Sequence, residues 1–347
     1  MVLSWVPHSA LRRVALFCLV ALGCQDGGPS GPDASDPLSA ALPLSLSAVL
    51  RLRDGTYLAA LSSGADTAFL PLDPCQAWVV STTLEHEPTG QPTARDLFLT
   101  MADSLGASLD HLLLHLDANG DAVASLYVRT LAGAAILEAT CSDAMAIAQR
   151  SSAPLLGTRA LLRRFRQSGA SGTGDAELPP TPRTSPLAEG EPRAARPARA
   201  RQERVPVRIL GLVDQQIDVL VALVDQSQQT VVPVFVNYCQ AEAIYAGLHD
   251  PGHAAARRHA LLRDLLSAAQ ATVAAALVTD LVGAAYLGQV EVASPRGLVR
   301  LQARPSDALA LAALTGAPLY VTTGVLQAAG EEATPYLSFF SEEENSP

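Results

Sequence analysis

The sequence predicts an α+β protein built from two related domains, each a mainly antiparallel or mixed sheet with helices packed on it. The first observation is the run at 304–312, because a weakened copy of it lies upstream at 141–148. The second is that the same offset places residues 75–77 on 239–241, so one register is kept over some eighty residues. Such a repeat indicates duplication of one supersecondary unit. The third is that strands come in runs with grouped helices, which is typical of α+β folds.

The N-terminal 24 residues are predicted to be a signal peptide that ends in a lipobox-like sequence. Arg12 and Arg13 precede an apolar stretch, which closes on Ala21-Leu22-Gly23 immediately before Cys24. The stretch is too short to span a bilayer, for which about 20 residues are needed. We expect Cys24 to carry a lipid that anchors the protein in the cell envelope, facing the periplasm or the outside. Ordinary cleavage after Gly23, which would release a secreted soluble protein, stays open.

Residues 25–45 are rich in Gly, Pro, Ser and Asp and are predicted to be a flexible tether. Residues 46–165 form the first predicted domain and residues 205–330 the second. The intervening 166–204 has no apolar periodicity and is predicted to be a disordered Pro/Arg-rich linker. Its basic second half would suit nucleic acid or anionic headgroups, although a solvated tether is the preferred interpretation. Residues 331–347 are interpreted as a frayed acidic tail.

The second domain allows its elements to be predicted in order. Short β-branched apolar runs indicate strands, and Leu-rich or Ala-rich stretches with helical spacing indicate helices. The first domain repeats the same order. For the second domain we predict strands at 205–212, 217–224 and 230–236, helices at 239–248 and 254–269, strands at 271–279, 284–293 and 297–303, a helix at 306–314 and a strand at 318–322.

Three cysteines remain once the signal segment is set aside: Cys75, Cys141 and Cys239. Because the number is odd, at least one thiol stays unpaired within the chain. Cys75 and Cys239 occupy equivalent repeat positions, which favours two small buried residues with a shared packing role. A bond between them would require the two domains to face each other.

The second domain resembles the bifunctional nuclease domain family. The most specific likeness is Arg304-Pro305-Ser306-Asp307-Ala308, followed by Gly-Ala-Pro at 316–318. The runs at 232–234, 241–244 and 278–281 add to it, as does His259 at the head of a Leu-rich helix. The first domain resembles the same family in degenerate form. The resemblance implies DNase and RNase activity and therefore nucleic acid as a partner.

Ionisable residues of the second domain supply the candidate catalytic site. His259 is the candidate base or metal ligand, and Glu242 and Asp307 are candidate carboxylates. These three would hold a divalent Mg or Mn ion, while Arg304 would stabilise charge on a phosphoryl group. In the family pattern an Asp follows the His, but here Ala260 does. The first domain has the reverse, with Arg95 before Asp96, and it has Trp78 where the second has Glu242.

A structural role for the Ser-Asp pair is the competing interpretation. Ser306 and its counterpart Ser142 are predicted helix caps, and Asp307 and Asp143 suit the positive end of a helix dipole. These roles need no substrate.

The sequence shows no paired-Cys zinc pattern, P-loop, dinucleotide fingerprint or nucleophile elbow. The net charge of −10 argues against a polyanion-binding surface over the whole protein. The leading prediction is an exported nuclease, active if at all in the second domain, with the first domain as its packing partner. The alternative is a non-catalytic lipid-anchored scaffold or ligand-binding protein. In either case we expect the two domains to pack pseudo-symmetrically.

Overall fold

The computed structural model describes residues 41–84, 92–166, 203–215, 218–250 and 257–344. The signal peptide, nearly all of the tether and most of the linker therefore lie outside the described residues. Within them the protein is α+β, as predicted, with two similar domains, here called the N-terminal and C-terminal copies. The tether prediction extended too far, because strand pairing begins at Leu42 and Ser45 is already in a strand.

The N-terminal copy consists of eight strands and four helices among the described residues. In chain order they are β1 (Leu42–Pro43), β2 (Ser45–Arg51), β3 (Tyr57–Ser63), β4 (Asp66–Leu72), α1 (Pro74–Leu84), α2 (Ala94–Ser104), β5 (Ser108–Leu116), β6 (Ala122–Thr130), β7 (Gly133–Ala139), α3 (Cys141–Ser151), β8 (Leu155–Gly157) and α4 (Arg159–Phe165).

The C-terminal copy repeats this order with one strand at its start in place of β1 and β2, and adds a strand and a helix at its end. Its elements are β9 (Arg204–Asp214), β10 (Val219–Asp225), β11 (Thr230–Val236), α5 (Tyr238–His249), α6 (Arg257–Ala268), β12 (Thr272–Val282), β13 (Ala285–Ser294), β14 (Gly297–Ala303), α7 (Pro305–Thr315), β15 (Leu319–Thr322), α8 (Thr323–Ala329), β16 (Glu331–Glu332) and α9 (Thr334–Glu344).

The offset of 164 residues seen in the sequence relates the two copies from β4 onward. The preceding strands are shifted by two residues, because Tyr57 of β3 pairs with Leu72 where Val219 of β10 pairs with Val236. The 164-residue offset carries β4 onto β11, β7 onto β14, α3 onto α7 and α4 onto α8 without a change in their bounds. Positions from β4 to α4 therefore have structural counterparts from β11 to α8, which allows the two sites to be compared residue by residue.

The sheets of the two copies differ in how they are joined. In the N-terminal copy β2, β3 and β4 form a separate antiparallel sheet, and a five-stranded sheet has the order β1-β8-β5-β6-β7. In the C-terminal copy the single long strand β9 pairs with both β15 and β10, so one eight-stranded sheet results, with the order β14-β13-β12-β15-β9-β10-β11-β16. The pairings of β5 with β8 and of β12 with β15 are parallel and the other strand pairings are antiparallel.

The two copies pack against each other in a reciprocal manner. Helix α2 contacts β14 of the other copy, its counterpart α6 contacts β7, and α2 and α6 contact each other. The hydroxyl of Thr130 also donates to the carbonyl of Ala268 across this interface, at 3.1 Å. Equivalent elements that exchange the same contacts indicate a pseudo-twofold arrangement, as in a symmetric dimer. Buried side chains of both copies accordingly belong to one continuous apolar cluster.

The structure corrects the preferred interpretation of Cys75 and Cys239. They form a disulfide, with their Cα atoms 5.8 Å apart. The interpretation as two separate buried residues was wrong because it took the required face-to-face arrangement of the domains as unfavourable, and the reciprocal packing supplies that arrangement. Cys141 keeps a free, buried thiol.

The C-terminal segment is not the frayed tail that the sequence suggested. Strand β16 pairs with β11, and helix α9 follows it. Ala333, Tyr336, Leu337 and Phe340 pack on a second face of the sheet. Gly211 makes room for this helix, since a Cβ at that position would lie 2.1 Å from the Phe340 ring. The prediction weighted the glutamates at 342–344 and missed the helical spacing of the apolar residues before them.

Candidate functional site

The start of helix α7 positions the candidate residues of the C-terminal copy. Pro305 occupies the first helical position, where its missing N–H costs nothing and its fixed φ suits the helix. Arg304 is therefore the N-cap, and its side chain makes no capping hydrogen bond. The predicted cap at Ser306 was wrong, because the proline begins the helix one residue before it. Ser306 lies buried in the first turn.

Arg304, Asp307 and His259 form one buried cluster, called here the His-Asp-Arg cluster. The Arg304 guanidinium donates to both carboxylate oxygens of Asp307, through Nε at 2.8 Å and Nη2 at 3.2 Å. Nε2 of His259, from helix α6, lies 3.1 Å from Oδ1 of the same carboxylate. The structure thus brings three of the four predicted site residues together.

The electrostatics of this cluster favour an ionised Asp307. Burial by itself raises the pKa of this carboxyl group, but the charge of Arg304 and the hydrogen bond and charge of His259 outweigh it. The pKa of Asp307 therefore lies well below its ordinary value. An ionised carboxylate accepts from Nε2–H, so in the neutral form of the imidazole the lone pair lies on Nδ1. That Nδ1 atom is buried and has no hydrogen-bond partner in the described part of the chain.

The N-terminal copy keeps the contact and changes its chemistry. At the position of His259 it has Arg95, which donates to Asp143 Oδ1 from Nη2 at 2.6 Å and from Nε at 3.1 Å. Thr140 stands where the other copy has Arg304. Its hydroxyl accepts from the Asp143 N–H and donates to the Asp143 carboxylate, so it caps helix α3. Thr140, rather than the predicted Ser142, is therefore the cap of this helix.

Asp96 has a role that explains its presence beside Arg95. Its carboxylate accepts from the backbone N–H of Thr93 at 2.7 Å, which completes a capping box at the start of α2. Its other oxygen accepts from Arg150 of α3, also at 2.7 Å. The family's adjacent His-Asp pair is absent from both copies, but the charged partner of position 259 comes from another helix.

A family model described as the bifunctional nuclease domain matches residues 60–168 and again residues 221–334. The two matches cover more than half of the chain. The chain belongs to the bifunctional nuclease domain family. The search of curated proteins found no match. The tandem matches and the repeated order of elements agree that both copies are bifunctional nuclease domains.

Glu242 does not join the cluster in the C-terminal bifunctional nuclease domain. It lies on the exposed side of helix α5, whereas Ala241, Ala243 and Ile244 are buried. Within the described residues no group of three or more His, Cys, Asp and Glu side chains is placed to hold a metal ion. Both oxygens of Asp307 are already engaged by Arg304 and His259. The described residues do not bring Glu242, His259 and Asp307 together as one group of metal ligands, and a divalent Mg or Mn ion stays a prediction.

A second charged cluster in the same domain was not foreseen from the sequence. Glu291 on β13 is buried and accepts two hydrogen bonds from Arg204, at 2.7 and 2.8 Å, and one from Arg300. These bonds, above all those from Arg204, lower the pKa of Glu291 to about 2 against the opposing effect of burial. The only sequence signal was a carboxylate in an apolar strand. The counterpart of Glu291 is Tyr127, so this cluster is a property of the C-terminal copy alone.

None of the helices in the described ranges has the length and apolar content needed to cross a bilayer.

Proposed function

We propose that the protein is an exported nuclease that hydrolyses phosphodiester bonds, with its active site at the His-Asp-Arg cluster of the C-terminal copy. The observation that carries the proposal is the hydrogen bond from His259 to Asp307 beside Arg304, within a domain of the bifunctional nuclease family. Only this copy has a titratable imidazole at the position, since the other copy has Arg95.

Each residue has a distinct role in this proposal. Asp307 orients the imidazole and stabilises the imidazolium that forms, as the carboxylate does in other base-carboxylate pairs. Nδ1 of His259 removes a proton from water as the water oxygen attacks phosphorus and the bond to the leaving oxygen breaks. The same imidazole can return the proton to that oxygen. Arg304, whose side chain is 14% exposed, stabilises charge on the phosphoryl oxygens.

The burial of His259 and Asp307 supports the alternative, a non-catalytic scaffold. The side chains of His259 and Asp307 are only 4% and 3% exposed. A nucleic acid therefore reaches Nδ1 of His259 only if the residues around this atom move apart. In the N-terminal copy, Arg95 and Asp143 join the counterpart helices α2 and α3 without any imidazole. In this alternative both pairs exist to hold a helix to its neighbour, and the two domains form a stable surface protein.

Export and lipid anchoring at Cys24 are part of the proposal, with nucleic acid met outside the cytoplasm. The signal-like N-terminus motivates it, and the Cys75–Cys239 disulfide supports it. Disulfides persist in the periplasm and outside the cell, whereas cytosolic reductants keep most thiols reduced.

The test uses the purified protein from residue 25 onward, which keeps every described element. It is incubated with single-stranded DNA and RNA in the presence of Mg²⁺, Mn²⁺ or a chelator. The proposal predicts cleavage that is lost in His259→Ala and in Arg304→Ala. A matched control is Glu242→Ala, since this carboxylate is exposed on α5 and takes no part in the hydrogen bonds of the cluster, so its loss should leave the rate unchanged. Absence of cleavage by the unaltered protein under every condition would establish the scaffold alternative instead.

A further inference from the structure

The N-terminal copy contains a cleft that has no role in the proposed nuclease site. Its volume is about 400 Å³, within the range of small-molecule sites. It lies between the end of β4, the start of β6, the start of helix α3 and the end of helix α4. The lining residues used here are Ala122, Thr140, Cys141, Arg164, Phe165 and Asp121.

Comparison of the two copies explains why there is space at this point. Ala122 is the counterpart of Tyr286, whose hydroxyl donates to the carbonyl of Pro233 at 2.9 Å. Thr140 is the counterpart of Arg304, whose guanidinium is held on Asp307. Two large side chains of the C-terminal copy are thus replaced by two small ones. Both of these small residues line the cleft.

The two copies also carry an arginine at different places: the C-terminal copy has Arg304 at the start of α7, whereas the cleft has Arg164 at the end of α4. Arg164 and Phe165, at the end of α4, stand where the C-terminal copy has Ala328 and Ala329. Unlike Arg304, Arg164 is exposed and has no ion-pair partner among the described residues, and its Cζ atom lies 6.0 Å from the centre of the Phe165 ring. A guanidinium without an internal partner beside an aromatic ring is suited to an anionic group attached to an apolar body.

The inner end of the cleft presents the first turn of helix α3. Anionic groups are favoured at a helix N-terminus, where backbone N–H groups lack helical acceptors. Cys141 lies in this turn, lines the cleft and is only 6% exposed. Its thiol has no hydrogen-bond partner within the described ranges, and burial raises the pKa of Cys141 to about 12, so it stays a protonated donor.

We propose that this cleft binds a small molecule with one anionic group, a phosphate monoester or a carboxylate, on an apolar body. The anion would contact Arg164 and the first turn of α3, and the apolar body would lie against Phe165 and the space left by Ala122. Asp121 at the rim opposes an anion and is the one lining carboxylate. The N-terminal copy therefore serves as a ligand-binding domain, independently of whether the C-terminal copy cleaves nucleic acid.

Isothermal titration calorimetry on the protein from residue 25 onward tests the proposal with three probes. Adenosine 5′-monophosphate and benzoate represent the phosphate and carboxylate arms, and adenosine is the neutral control. We expect at least one anionic probe to bind with a Kd below about 1 mM. If the bound anion is adenosine 5′-monophosphate, adenosine should bind at least tenfold more weakly than this monophosphate. Equal binding of adenosine and its monophosphate without benzoate binding, or no anionic binding in this range, would overturn the proposal.

Variants locate the site. Ala122→Tyr introduces the side chain that the other copy already accommodates, and should abolish binding while the protein stays folded by circular dichroism. Arg164→Gln should weaken binding about tenfold, as expected for loss of one charge-assisted contact. Arg163→Gln, one position away and exposed, is the matched control and should have no effect on binding.

If Ala122→Tyr fails to fold, the result for Arg164→Gln alone decides whether the ligand binds in this cleft. Unchanged binding in Arg164→Gln would place the ligand elsewhere, and weaker binding in Asp121→Asn would show that the cleft selects a cation.

Discussion

Position 259 and its counterpart 95 both contact the buried aspartate of the neighbouring helix, one with an imidazole and the other with a guanidinium. His259 reaches Asp307 with one neutral or charged imidazole, whereas Arg95 reaches Asp143 with a permanently charged guanidinium. Both carboxylates are buried, so each must have a donor to offset the loss of water. The contact is therefore structural in both copies, and only the imidazole adds the capacity to transfer a proton.

Removal of the guanidinium in the N-terminal copy should be strongly destabilising. Arg95→Ala leaves the 2%-exposed Asp143 without its charged partner, and we expect a loss of about 3–5 kcal/mol in the free energy of unfolding. Urea titration of the variant measures this loss. The control is Arg129→Ala, which breaks the exposed ion pair with Asp110 and should cost less than about 1 kcal/mol. Similar costs for both variants would contradict the structural role of the buried pair.

The sequence identified most residues of the candidate site but did not show which hydrogen bonds join them. Asp307, Arg304 and His259 were predicted to share one site, and His259 was correctly placed at the start of a helix. The family pattern has an Asp directly after the His, but here Asp307, predicted to share the site with His259, lies 48 residues away on another helix. Glu242 was included because carboxylates suit a metal site, yet helix α5 turns it to the exposed side. Such distances depend on tertiary packing, which spacing along one helix does not reveal.

At the level of elements, the approach of β13 to the start of α7 fixes the position of the candidate site. Gly288 lies on β13 next to the turn from β14 into α7. A Cβ there would be 2.8 Å from the carbonyl oxygen of Ala303 and 2.9 Å from backbone atoms of Arg304 and Pro305. Since these neighbours are backbone atoms, no side-chain rotation can relieve the contact.

Gly288→Ala should therefore shift the start of α7 and destabilise the C-terminal copy. We expect a loss of about 1–3 kcal/mol, typical of overpacking. Thermal denaturation followed by circular dichroism measures it. Leu298→Ala on the adjacent strand is a suitable control, because Leu298 is 52% exposed and its change should remain within about 0.5 kcal/mol. A melting temperature for Gly288→Ala equal to that of the control would show that the turn is not closely packed.

Most elements were predictable from sequence, and the exceptions have identifiable causes. The predicted strand at 297–303 and strand at 230–236 match β14 and β11 in their bounds. Helix α9 was missed because its charged end concealed an apolar stripe of Tyr336, Leu337 and Phe340. The cap of α7 was displaced because a proline at the first helical position is as strong a start signal as a serine.

At the level of the whole molecule, the disulfide joins the two copies across their pseudo-twofold interface. Cys75 and Cys239 sit at the second position of α1 and of its counterpart α5, 164 residues apart. A bond between equivalent residues is the expected result when two related domains pack like a symmetric dimer. The sequence showed the equivalence of the two cysteines but did not show the orientation of the domains, so the bond was not the favoured interpretation.

Loss of this bond should lower stability without changing the fold of either copy. Cys75→Ser removes a cross-link that closes a long loop, for which the chain-entropy limit is about 5 kcal/mol. We expect a lower melting temperature for the variant and for the reduced protein. Added reductant should not lower the melting temperature of Cys75→Ser any further. An unaltered protein whose melting temperature is insensitive to reductant would indicate that the bond is not formed in solution.

The central claim is that the two copies place the same helices around positions 259 and 95 and differ there in chemistry. The double variant His259→Arg, Arg304→Thr gives the C-terminal copy the residues that Arg95 and Thr140 supply in the N-terminal copy. Its rate of single-stranded RNA cleavage, measured beside its melting temperature, tests this claim most directly. The account predicts a fall in rate of roughly 10²-fold or more, as for loss of a general base, with little change in melting temperature. Cleavage at the unaltered rate in the folded double variant would contradict it.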